Sequence, residues 1–139
     1  MNPLLDGLKV LDLSRLLPGP FCSLTLAQLG AEVIKIEEPD GGDYARELSP
    51  ELFDIVNRGK QSLTLDLRQP DDVERFKALV KDADVVLESF RPGVMGKLGC
   101  GYDTLKAINP QLVYASLTGY GQTGPYADRP GHDLNYLGY

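Results

Sequence analysis

Short apolar runs alternate with stretches of helical period along this chain, and that alternation restricts its fold more than any other feature. Residues 8–13 (LKVLDL), 32–36 (EVIKI), 84–87 (DVVL) and 112–117 (LVYASL) read as buried strands, and residues 62–67 (SLTLDL) as an alternating one. Between them, residues 20–29 (PFCSLTLAQL) form a helical pattern that begins at a proline and stops at Gly30. Residues 52–57 fit a short helix. Asp71 or Asp72 can cap an amphipathic helix running to Lys81, with Val73, Phe76, Leu79 and Val80 on one face. Residues 102–108 form another helix, halted by Asn109-Pro110. Repeated strand–helix order with near-continuous apolar strands predicts an α/β, Rossmann-like fold. Its sheet is mostly parallel, with helices on both faces.

The bulk numbers exclude several classes. A chain of 139 residues with 42% hydrophobic and 24% charged residues can build a core, so disorder is a poor description. A net charge of -6 and a pI near 4.7 argue against a nucleic-acid partner, while leaving room for a local basic cluster that holds a small anion. Cys22 and Cys100 are too few for a disulfide scaffold or a zinc site, and both are expected to be packing residues. The first residues, MNPLLDGLKV, lack the pattern of a secretory signal, and no apolar run reaches the roughly 20 residues that span a bilayer. A cytoplasmic protein with no membrane partner is expected. The last residues, from Leu134, read as the opening of a further helix, so the chain is expected to be a truncated piece of a larger fold.

Four motifs invite a functional reading. Gly119-Tyr120-Gly121-Gln122-Thr123-Gly124 has the spacing of a dinucleotide-binding turn, but Pro125 and a Pro/Gly-rich loop follow instead of a helix. A backbone passing close to a ligand or another chain fits it better. Arg91, directly after the strand DVVLESF, lies where α/β sheets bind ligands, beyond the carboxyl ends of the strands, with Lys97 further on. An Arg paired with a surface acid such as Glu88 fits the spacing equally. Arg58-Gly59-Lys60 and Arg68 bracket the third strand, as ligand contacts or as solvated charge. His132, the single histidine, stands in a Gly/Pro-rich loop after the fifth strand, either as a proton shuttle or as a structural residue.

Several blocks carry a resemblance: LDGLKVLDLSRLLPGPFCSLTLAQLGAEVIKIEEPDGGDYAR, NRGKQSLTLDLR, ADVVLESFRPGVMGKLG, INPQLVYASLTGYGQTGPY and PGHDLNYL. In this order and spacing the chain resembles family III CoA-transferases, also called the CaiB–BaiF family, along essentially its whole length. The resemblance implies an acyl-CoA substrate, with coenzyme A as part of the substrate and no separate cofactor or metal. It also implies a large Rossmann-like domain, a small domain and an interlocked homodimer. Residues 1–139 would then be the N-terminal portion of the large CoA-binding domain. Substrate contacts are implied at Leu65, Asp66, Leu67 and Arg68, at Ser89, Phe90 and Arg91, and at Val94, Lys97 and Gly131. Many relatives carry a basic residue where this chain has Glu38, which is a departure at the adenosine-phosphate end.

Gly131-His132-Asp133-Leu134-Asn135-Tyr136 matches the G-H-D-x-N-Y form found in the α-methylacyl-CoA racemase branch, and Leu17 replaces a Gln of some transferases. The resemblance therefore implies racemisation of 2-methylacyl-CoA thioesters, with His132 as one acid/base and an Asp beyond Tyr139 as the other. Two bases on opposite faces of the α-carbon, with donors stabilising the enolate oxygen, would remove and return the proton. The alternatives are a CoA-transferase moving CoA between carboxylic acids, and an inactive fragment or partner chain.

Overall fold

The computed structural model describes residues 3–138. Five strands form one sheet: β1 (Lys9–Asp12), β2 (Glu32–Glu37), β3 (Gln61–Thr64), β4 (Val85–Glu88) and β5 (Val113–Ser116). Their order across the sheet is β3-β2-β1-β4-β5 and every pairing is parallel, with Val10 opposite both Val33 and Val85. Parallel neighbours need long crossovers, and the helices supply them. They are α1 (Pro18–Gln28), α2 (Ala45–Leu48), α3 (Pro50–Val56), α4 (Pro70–Val80), α5 (Val94–Lys97), α6 (Tyr102–Ile108) and α7 (Asp133–Leu137). The expected α/β architecture is present.

Successive side chains of a strand point to opposite faces, so the sheet carries two cores. On one face Leu11 and Val86 pack with Phe76 and Val80 of α4 and Leu105 of α6. On the other, Val10 and Val33 meet Leu26 and Ala27 of α1. α1 begins at Pro18, two residues before the expected start, because the fixed φ of Pro18 suits a first helical position. It ends before Gly30, whose φ of +106° a side chain would resist. For α4 the expected cap is corrected. Gln69 holds the N-cap position and Pro70 opens the helix, while Asp71 and Asp72 fall in its first turn. The Asp72 Oδ2 instead accepts from the Asp66 N–H at 2.8 Å.

β3 stops at Thr64, short of the expected residue 67, although Leu65 and Leu67 remain buried. Cys100 is buried as expected and desolvation lifts its thiol to about 11, whereas Cys22 is exposed on the outer side of α1 and packs against no core. The expected final helix is α7, and Tyr139 lies outside the described residues. No helix among the described residues is long and apolar enough to cross a membrane.

Candidate functional site

The chain runs from β1 to β2 on one side, and β4 sits on the other side of β1. The sheet order thus reverses between β1 and β4. In open α/β sheets that reversal leaves a crevice beyond the carboxyl ends of the two strands. Here the segments leaving them are stitched together, since the Arg15 N–H donates to Ser89 Oγ at 3.0 Å. A cleft of about 210 Å³ opens at this place. Its wall includes Leu13, Ile36, Leu65, Leu67, Val94 and Leu98 with the buried Glu37, and its polar rim Arg15, Glu38, Asp66 and Arg68, with Phe90 between.

Six of the residues named from the sequence therefore meet in one cleft: Leu65, Asp66, Leu67, Arg68, Phe90 and Val94. Arg68 is held by its neighbour, with Nε 2.7 Å from Asp66 Oδ1 and the backbone N–H bonded to the same oxygen. The Arg68 hydrogen bonds lower the Asp66 carboxyl below its ordinary range, and the same contact raises the guanidinium. Arg91 lines a second, larger cleft of about 370 Å³ together with Glu88, Tyr114, Ser116 and Gln122. Its Nη1 donates to the Asp128 carbonyl at 3.1 Å, and Glu88 turns inward, accepting from the Phe90 N–H at 2.8 Å. Burial raises the Glu88 carboxyl against the opposing bonds from Ser116 and Phe90. The alternative pairing of Arg91 with Glu88 is absent among the described ion pairs.

Other residues stand apart. Lys97 is exposed on α5 and lines neither cleft, and Ser89 contributes its hydroxyl to the stitch described above. His132 is exposed at the N-cap of α7, where its backbone N–H donates to Asn135 Oδ1 at 2.9 Å. Gly131 and Gly119 both lie against the Tyr136 ring and hydroxyl, so a side chain at either would collide with them. Lys60 is a core residue: its Nζ meets Asp12 Oδ2 at 3.1 Å and the Pro20 carbonyl at 2.9 Å. Desolvation lowers its ammonium below the ordinary range.

Arg15 is the residue that the motifs did not single out. Its Nη2 pairs with Glu38 at 3.0 Å, its Nη1 donates to Tyr44 Oη at 2.8 Å, and the guanidinium lies 4.9 Å from the Tyr44 ring and 5.1 Å from the Phe90 ring. Its position directly after a strand is the same signal that pointed to Arg91. Beneath it lies a buried polar framework. The Glu37 carboxylate takes a two-point bond from Arg46, at 2.8 and 2.7 Å, together with bonds from the Asp43 N–H and the Ser62 hydroxyl at 3.1 Å each. Burial alone would raise this carboxyl, but the bonds from Arg46 and Asp43 outweigh it and bring it down to about 2. The Asp12 carboxylate accepts from the Ser14 and Ser23 hydroxyls as well as from Lys60.

An apolar cleft with two rim guanidiniums and flanking aromatic rings suits an elongated ligand with anionic groups at one end. A profile of CoA-transferase family III matches residues 5–139. The chain is 46% identical to an acyl-CoA transferase of Fusarium pseudograminearum over 93% of its own length and 32% of that protein's. It is 48% identical to the acetyl-CoA:oxalate CoA-transferase of Acetobacter aceti, over 92% of this chain and 34% of the other. The crystal structure of a CaiB/BaiF family protein from Brucella suis superposes with a TM-score of 0.94 at 47% identity, covering 99% of this chain and 39% of that one. The chain thus spans about a third of the length of the curated relatives it matches. The matched profile, these identities and the superposed fold show that the chain belongs to CoA-transferase family III.

Proposed function

We propose that this chain forms the CoA-binding part of an enzyme that moves CoA between carboxylic acids. In such a transfer the thioester bond of one acyl-CoA is broken, its carboxylate is released, and a thioester forms on the acceptor acid. The observation that carries the reading is the gathering of Leu65, Asp66, Leu67, Arg68, Phe90 and Val94 around one switch-point cleft. The transferase names of the similar proteins from Fusarium and Acetobacter support it. Arg68 and Arg15 would face the phosphates, each exchanging part of its present acid contact for them, and the apolar wall would take the pantetheine arm. Coenzyme A is part of the substrate here, with no resident cofactor. An interlocked homodimer in the cytoplasm, without nucleic-acid or membrane partners, completes this reading. The test is calorimetric titration of CoA into the full chain. Arg68→Ala should weaken CoA binding, and unchanged affinity would remove Arg68 from the site.

A second reading keeps one specific observation. Gly131-His132-Asp133-Leu134-Asn135-Tyr136 has the racemase form, and His132 is exposed at the start of α7, where its side chain takes part in a capping box with Asn135. Racemisation requires exchange of the α-proton, whereas CoA transfer leaves it in place. Incubation of a 2-methylacyl-CoA in deuterated water, followed by NMR, separates the two. Deuterium at the α-carbon, lost about 10²–10⁴-fold in His132→Ala, selects the racemase.

A further inference from the structure

Leu16 is the one non-glycine residue among those described whose φ is positive, at +64°. A leucine resists this left-handed conformation, because its Cβ crowds the following carbonyl. The conformation persists only where the surroundings over-determine it. Here the turn after β1 is held at successive backbone groups by separate side chains. Asp12 Oδ1 accepts the Ser14 N–H at 2.9 Å, Ser89 Oγ accepts the Arg15 N–H at 3.0 Å, and Asp43 Oδ1 accepts the Leu16 N–H at 2.9 Å. The Ser14 carbonyl accepts from Lys35 Nζ, also at 2.9 Å. Lys35 and Asp43 are themselves an ion pair, Nζ to Oδ2 at 2.9 Å, with both side chains almost wholly buried.

We propose that Lys35 and Asp43 act as a pair of positioning residues. Together they clamp the left-handed Leu16 turn and so fix Arg15 at the rim of the switch-point cleft. The link to Arg15 is direct, since Tyr44, next to Asp43, accepts from the Arg15 guanidinium while Asp43 holds the next backbone N–H. Removing the clamp lets Leu16 relax to negative φ, which swings Arg15 away from Glu38 and Phe90. Neither Lys35 nor Asp43 lines the cleft, so neither needs to touch a ligand. The proposal rests on the reading that this cleft takes CoA.

The test removes the clamp without leaving a lone buried charge. Lys35→Met combined with Asp43→Ala should bind CoA roughly tenfold more weakly by calorimetry, because a left-handed leucine is disfavoured by about that factor. Adding Leu16→Gly should restore most of the loss, since glycine adopts positive φ without a steric penalty. Full affinity in the pair variant, or no recovery on adding Leu16→Gly, overturns the proposal. If the pair variant fails to fold, Leu16→Val replaces it. A β-branched residue there should weaken CoA binding relative to Leu16→Gly, and equal affinities overturn the proposal. If the wild-type chain does not bind CoA, the functional reading fails, and the clamp is judged by NMR exchange of the Leu16 amide. Slow exchange in wild type that becomes at least tenfold faster in the pair variant supports the clamp, and fast exchange in wild type refutes it.

Discussion

At the scale of single residues, the sequence displays charges but not what they cross to reach. Lys60 reads from sequence as a ligand contact or as solvated charge beside the third strand, yet its ammonium reaches the Asp12 carboxylate and the Pro20 carbonyl of α1, contacts that depend on how β3 is placed in the sheet. Arg15 was within reach of the strand-end argument that identified Arg91, whereas the stacking of its guanidinium on Tyr44 and Phe90 needed the folded sheet. The Gly119–Gly124 motif reads from sequence as a backbone passing close to a ligand or another chain, and Gly119 proves to leave room for the Tyr136 ring of this chain. Glu37 gives a prediction at this scale. Its folded-state carboxyl lies near 2 against an ordinary 4.5, so its contribution is fully present above the unfolded value and lost as pH falls through that interval. Glu37→Gln should cost up to about 3 kcal/mol at neutral pH and flatten the decline of stability in acid. Urea unfolding of both forms between neutral pH and the acid limit measures it, and parallel pH profiles would contradict it.

At the scale of elements, period and burial were legible while hydrogen bonding was not. The face of α4 came straight from spacing, because Val73, Phe76 and Val80 recur at helical intervals and all three are buried. Phe76→Ala should therefore destabilise the chain by about 3–5 kcal/mol in denaturant unfolding, and a loss below 1 would mean the sheet face repacks around the gap. The alternation of Leu63, Leu65 and Leu67 persists past the last paired residue of β3, since apolar spacing reports which side of the chain is covered and not where a ladder ends. The four-residue helices α2 and α5 carry too few positions to show a period, and neither was visible in the sequence. α1 is apolar on nearly all sides, so its amino acids announced a helix without saying which face turns inward.

At the scale of the whole molecule, that ambiguity becomes a surface. Phe21 on the outer side of α1 is 58% exposed, and Leu134 and Leu137 on α7 are 85% and 75% exposed. Single exposed apolar residues are ordinary, but several on two helices are a liability for association. The full chain should self-associate at micromolar concentration in sedimentation experiments, with Phe21→Ser shifting it towards the monomer. A monodisperse monomer across that range would refute this. The overall α/β order was legible because every crossover left its period in the sequence. The neighbour relation of β1 and β4 was not, because nothing local records which strands become adjacent. That relation also governs how the molecule assembles itself in time. The Lys9 N–H finds the Asp84 carboxylate 75 positions along the chain, so the seam between the two halves of the sheet closes only after a long loop has been drawn in. Contacts of such sequence separation slow folding, so the local β1–α1–β2 unit should form before the crevice that straddles the seam.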